Sequence, residues 1–196
     1  MRESSLSPVG SARRIPMLTP TPLDVLAPVA VAPLPPSARF VLRLDPAIAG
    51  SLGSAGGFDL RGAINTCRVT GALTAARLGP DEWLLLGPDA DSIPLLRAVS
   101  ADLAAHHHSL VDAGHRNVAV AVSGAQARTV LSAGCPLDLD DGAFPPGTAT
   151  RTLLGKAEVV LLRPGAERLY RVECWRSFAT YVHGFLTEVA QEFTPR

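Results

Sequence analysis

From Arg39 onward, apolar and polar positions alternate with the strand period of two, then switch to the helical period of about 3.6, and switch back. "RFVLRL" alternates and predicts a strand. "DPAIAGSLG" predicts a short helix, with Asp45 as N-cap, Pro46 at the first helical position and Gly53 as the stop. "CRVTGALTAARLG" is strand-like and broken at Gly71, and "DEWLLLG" is a strand entered through the turn "GPD". "DSIPLLRAVSADLAAH" predicts a helix capped by Asp91, with Leu96, Val99 and Leu103 at helical spacing. "SLVDA" is a short strand.

The same plan then recurs. "NVAVAVSG" predicts a strand, and "SGAQARTVLSAG" a helix opened by a Ser123–Gln126 capping box and closed by Gly134. "CPLDLDDGAFPPG" is a loop. "TATRTLLG", "AEVVLLR" and "RLYRVECW" are strands, and "SFATYVHGFLTEVAQEF" is the closing helix, with Ser177 as its N-cap. "ARFVLRLDPAIAGSLGSAGG" answers "RNVAVAVSGAQARTVLSAGC", which sets Phe40 against Val118. "ARLGPDEWLLLGPDADSIPLL" answers "LLRPGAERLYRVECWRSFATYV". Each strand and helix must bury one face, so the expected fold is α+β: two related strand-helix-strand units, mainly antiparallel sheets with helices on one side. The units span 39–112 and 113–196 and together form one compact domain.

Residues 1–38 break the pattern. "IPMLTPTPLDVLAPVAVAPLPPSAR" is rich in proline and nearly free of charge, which discourages helix and central strand alike. Its Leu18, Leu23, Val25, Leu26, Val29 and Val31 supply apolar surface without a period. They predict an extended arm lying on a partner's surface; the competing reading is a floppy tail.

Composition narrows the function classes. Hydrophobic residues make up 47% and charged residues 18%, so a sizeable core is expected. Lys+Arg and Asp+Glu are both 18, which gives no general attraction to nucleic acid or anionic lipid. Cys67, Cys135 and Cys174 are far apart and outside any C-x-x-C pair, as in a reducing cytoplasm. "MRESSLSPVGSARR" has no apolar run of a secretory signal, and no segment reaches the roughly 20 apolar residues of a membrane helix. The expected localisation is cytoplasmic.

Candidate chemistry is sparse. "GSLGSAGG" ends a short helix instead of opening one, and the "GK" at Gly155–Lys156 sits between strands, so phosphate binding is disfavoured. His106, His107 and His108 are adjacent and point apart, which reads as a solvated helix end and not a zinc site. Ser123 lacks the G-x-S-x-G elbow, Cys135 has no nearby histidine, and Asp138, Asp140 and Asp141 lack a calcium-loop pattern. The densest stretch is "CWRSFATYVHGF". Its period of two puts Cys174 with Tyr170 and Val172 on a core face, and Trp175 with Arg171 and Glu173 on the other. Phe178, Tyr181, Val182, Phe185, Leu186, Val189 and Phe193 form the core stripe of the helix, with His183 on the polar side. Trp175 and Arg176 remain at the junction. They are either a subunit contact, since Trp and Arg are enriched at interface hot spots, or packing under a loop of the same chain.

The stretches "AGCPLDL", "R-T-x-LGKAE" and "WRSFA-x-Y", within a text that matches from about Arg39 to the C-terminus, resemble the gamma-subunit family of heterotetrameric sarcosine oxidases. More distantly, Asp112, Gly114, His115 and Gly124 resemble the "D-x-SH-x…V-x-G-x-A" segment of the aminomethyltransferase folate-binding fold, with Gly114 in place of Ser. The resemblance implies an aminomethyltransferase-like fold and a non-catalytic role in assembling and stabilising a complex. That complex would demethylate sarcosine oxidatively to glycine and H2O2 and, with tetrahydrofolate, 5,10-methylenetetrahydrofolate. It implies alpha, beta and delta subunits as partners, no cofactor in this chain, and FAD, FMN, NAD, zinc and tetrahydrofolate in the other subunits. The candidate interface residues are Trp175, Arg176, His115 and Arg116, with no catalytic, cofactor-binding or metal residue. The alternative is a stand-alone folate-binding aminomethyltransferase-like protein.

Overall fold

A computed structural model describes residues 17–24 and 27–193. In chain order the elements are β1 (Ala30–Pro33), β2 (Ser37–Leu44), α1 (Pro46–Leu52), β3 (Ser54–Ala55), β4 (Phe58–Asp59), β5 (Thr66–Thr70), β6 (Leu73–Arg77), β7 (Glu82–Pro88), α2 (Ser92–Asp102) and β8 (His108–Asp112). Then follow β9 (Asn117–Ser123), α3 (Ala127–Ser132), β10 (Thr148–Leu154), β11 (Ala157–Arg163), β12 (Leu169–Trp175) and α4 (Ala179–Ala190). Ten strands form one antiparallel sheet in the order β1-β9-β12-β11-β10-β5-β6-β7-β2-β8.

That order forces the sheet to curl. β1 and β2 are eight strand spacings apart along it, as are β8 and β9. In a flat sheet eight spacings of about 4.8 Å would separate them by roughly 38 Å. Residues 34–36 join the first pair and 113–116 the second, and links so short reach at most roughly 14–18 Å. The two edges must therefore approach one another.

The repeat expected from the sequence is an approximate two-fold. Phe40 faces Leu85 as Val120 faces Val172, and Thr66 faces Arg77 as Thr148 faces Arg163. Phe40 thus answers Val120, two residues on from the Val118 that the text comparison suggested; a shift of two keeps every side chain on its face. The counterparts Thr66 and Thr148 pair with each other where the halves meet. Around them Cys67 N–H donates to Gly147 O at 2.7 Å and Ala149 N–H to Asn65 O at 3.0 Å. The Arg77 guanidinium lies 5.0 Å over the Trp83 ring, and its counterpart Arg163 lies 5.7 Å over Tyr170.

The symmetry extends into the proline-rich segment. β8 precedes β9 in the chain and lies against β2, and β1 precedes β2 and lies against β9 in the same way. Ala113 N–H donates to Arg39 O at 2.8 Å, and Leu34 N–H donates to Ala119 O at 2.9 Å. Each of these short strands thus precedes one long strand in the chain and pairs with that strand's counterpart. Part of the expected arm surface is thus this chain's own sheet: residues 30–33 and 37–38 are strand, and Val29 and Ala32 are buried. Leu18 packs against the same core, while Val25 and Leu26 lie outside the described residues.

Helices cover one face of each half, as expected. Phe40, Leu42, Trp83, Leu85, Val99 and Leu103 fill one core; Val120, Val130, Leu161, Val172, Val182 and Leu186 fill the other. A third cluster, including Cys67, Leu84, Leu86 and Leu162, lies on the inner face of the curl. The caps agree less well. Asp45 Oδ1 accepts from Ala47 N–H at 2.7 Å, and Gly53 closes α1 at φ 72°. Asp91 sits at the N-cap of α2 without a side-chain bond. Ser123 ends β9 with a buried, unpartnered hydroxyl, and α3 starts after Gln126. A 3-10 turn over Arg176–Phe178 precedes α4, so Phe178, not Ser177, is its N-cap.

Candidate functional site

Strand pairing assembles the four candidate residues. Trp175 ends β12 opposite Asn117, the first residue of β9. The link 113–116 before Asn117 therefore lies beside the turn after Trp175. Asp112 Oδ1 accepts from Gly114 N–H at 2.7 Å, which shapes the link, and Arg176 N–H donates to Arg116 O at 2.8 Å, which ties it to the turn. The Arg116 guanidinium lies 5.0 Å over the Trp175 ring, a favourable cation–π placement. Phe178 flanks the same ring at 6.2 Å. Its own chain thus braces Trp175, and 40% of it remains exposed. His115 and Arg176 line a small cavity of about 40 Å³ with Met17, Leu34 and Arg39.

Beneath Trp175 opens a groove of about 290 Å³ on the inner face of the curl. Val41, Leu78, Leu84 and Val160 give it apolar walls, and Arg43, Glu82, Arg151 and Glu158 line its polar side. Glu82 is buried and its carboxylate is shared by Arg43, at 2.6 Å, and Arg151. Arg151 comes from the other half, so this ion pair clasps the halves together.

A second clasp lies deeper. Arg39 Nε donates to Glu173 Oε2 at 2.7 Å and Arg171 Nε to Glu173 Oε1 at 2.8 Å. The Arg39 side chain is 2% exposed and that of Glu173 not at all. Burial alone would raise the Glu173 pKa; the guanidiniums of Arg171 and Arg39 outweigh it and hold the carboxyl below its ordinary value. Arg171 also reaches Ser37 Oγ, and Arg39 the Ser37 carbonyl. Sequence reasoning missed Arg39, Glu82 and Glu173. Alternation assigns them to the face away from the helices, and only the curl makes that face interior.

The remaining candidates are quiet. Burial pushes the Cys67 thiol up to about 11 and the Cys174 thiol up to about 12, so both stay protonated near neutrality. Cys174 is a core residue, as expected. Tyr181 is not: it is 40% exposed, and its hydroxyl accepts from Lys156 N–H at 3.1 Å. Among the described residues no group of three or more His, Cys, Asp or Glu side chains could hold a metal ion. No described helix is long and apolar enough to cross a membrane. Gly124 has a structural duty. At φ 103° a Cβ there would meet the Pro28 carbonyl oxygen at 2.5 Å.

Comparison with known proteins fixes the family. The sequence profile described as "Sarcosine oxidase, gamma subunit family" matches residues 42–192. The chain belongs to the sarcosine oxidase gamma subunit family. A family relative from Arthrobacter sp., "Sarcosine oxidase subunit gamma", is 32% identical over 93 residues, covering 47% of this chain and 45% of its own. Another, from Corynebacterium sp. strain P-1, is 30% identical over 116 residues, covering 59% and 56%. The match thus spans about half the length of these relatives. Among solved structures, a chain of heterotetrameric sarcosine oxidase from Corynebacterium sp. U-96 has a TM-score of 0.77 at 24% identity, covering 86% of each chain. The aminomethyltransferase T of the glycine cleavage system from Bartonella henselae has a TM-score of 0.63 at 13% identity, covering 83% of this chain and 46% of that one. These likenesses bear out the α+β, aminomethyltransferase-like fold expected for a gamma-subunit family member.

Proposed function

We propose that this chain is the non-catalytic gamma subunit of a heterotetrameric sarcosine oxidase, which buttresses and helps assemble a complex that demethylates sarcosine oxidatively. The family match over residues 42–192 carries this reading. The chemistry of the chain supports it. Glu82 and Glu173, the buried acids nearest the groove, are spent on ion pairs, and two of the three buried thiols are pushed far above neutral pH. Trp175, with Arg116 stacked over it and beside Arg176 and His115, makes the kind of exposed aromatic–cationic patch that anchors a subunit contact. On this reading the partners are the alpha, beta and delta subunits, the flavins, NAD, zinc and tetrahydrofolate belong to them, and the complex works in the cytoplasm.

Co-expression with the other subunits tests the proposal. The expected result is stoichiometric incorporation into a complex that oxidises sarcosine, with dissociation on dilution weakest when Trp175 is intact. A monomeric chain that stays outside that complex, or one that alone binds tetrahydrofolate in a calorimeter, would overturn it.

A further inference from the structure

The approximate two-fold of the sheet relates two grooves on the inner face of the curl, the first more polar in its lining than the second. Val41, Leu78, Leu84 and Val160 line the groove under Trp175. By the strand registers their counterparts are Ala121, Pro164, Arg171 and Thr74, and these line a second groove of about 190 Å³. This chain's own proline-rich segment supplies part of the wall of the second groove. Leu23 and Leu34, from the proline-rich segment, line it, and Thr21 N–H donates to Pro33 O at 3.3 Å, holding that segment beside β1. The first groove is larger, and its lining residues all lie between Val41 and Trp175.

We propose that the groove under Trp175 seats an extended, proline-containing apolar segment of a partner chain, as its twin is lined by this chain's own proline-rich segment. The twin shows what can lie along such a surface: Leu23, from a stretch without regular structure, and Leu34, just after β1, present aliphatic side chains to it. Proline-rich segments suit such a seat because they are extended before they bind and lose little freedom on docking. Aromatic-lined grooves are their usual receptors, and Trp175, backed by Arg116 and Phe178, is such a wall.

The partner's identity rests on the subunit reading above; the nature of the occupant does not. Two experiments separate them. In the assembled complex, Glu158→p-benzoylphenylalanine places a photocrosslinker on an exposed position of the groove wall. The expected product is one contiguous partner peptide that contains proline and aliphatic residues. A crosslink to a helical segment, to a second copy of this chain, or to nothing in an intact complex overturns the proposal. On the free chain, a synthetic peptide of residues 17–36 is the probe, and Trp175 fluorescence is the readout, because Trp83 is buried. A saturable change is expected, weakened about tenfold by Leu78→Arg. No saturable change, or one indifferent to Leu78→Arg, overturns the proposal. If no complex forms, the subunit reading fails, and the peptide titration decides the groove on its own.

Discussion

Glu173→Gln removes the anion that Arg39 and Arg171 share while keeping the size of the side chain. Arg39 is then a buried cation without a counter-ion, left with the neutral amide oxygen, for which Arg171 competes, and the Ser37 carbonyl at 3.1 Å. Arg171 is 21% exposed and can turn toward water; Arg39, at 2%, cannot. Removing one partner of a buried pair costs about 3–5 kcal/mol, a large part of the roughly 5–15 kcal/mol that holds a domain folded. For a chain of this size the midpoint of thermal unfolding should fall by about 10 °C. The pH dependence follows from the same carboxylate. Its folded pKa is depressed, so its contribution is complete above the unfolded value. It is lost as pH falls below that value and through the folded one. Glu173→Gln should therefore flatten the acid limb of the stability profile. Urea titrations followed by circular dichroism, repeated at several pH values, measure both effects. The double change Arg39→Leu with Glu173→Leu should cost less than the sum of the single ones, because it leaves no buried cation behind. A loss under about 1 kcal/mol for Glu173→Gln, or strict additivity in the double variant, would refute the reasoning.

Other consequences are simpler to check. Gly124→Ala strains a φ of 103° and drives a Cβ toward the Pro28 carbonyl; it should cost about 2–3 kcal/mol in urea unfolding and speed proteolysis of the segment before β1. Cys174 and Cys67 should resist a thiol reagent at pH 8 in the folded chain and react at once in urea, since burial raises their pKa values to about 12 and about 11. Trp175→Ala should change the stability of the free chain little and weaken its association with partner subunits by about 2 kcal/mol or more, read by dissociation on dilution.

Much of the fold is written in the pattern of the text. The strands from Ser37 to Leu44 and from Leu169 to Trp175 follow the period of two, and Asp45-Pro46 with Gly53 bounds α1 as capping chemistry requires. The repeat was visible too, although only strand pairing could set Phe40 against Val120. What the text did not disclose arises from long-range closure. β1 comes from a segment whose prolines argue against strand, yet it lies at a sheet edge, where missing donors are tolerated. Arg39 and Glu173 look like solvent-facing positions of a one-sided sheet, and the curl turns them inward. Tyr181 has the spacing of a core residue, but its hydroxyl is held by the Gly155–Lys156 turn and stays at the surface. The candidate site was half legible. The residue types of Trp175 and Arg176 singled them out, and their union with His115 and Arg116 depends on the β9–β12 register.

The central claim is that this chain serves as a structural subunit, and native mass spectrometry of the co-expressed complex tests it most directly. The account predicts one copy of this chain in each sarcosine-oxidising assembly, and loss of that copy when Trp175 is replaced by Ala. An assembly of full activity and unchanged stability that lacks the chain would contradict it.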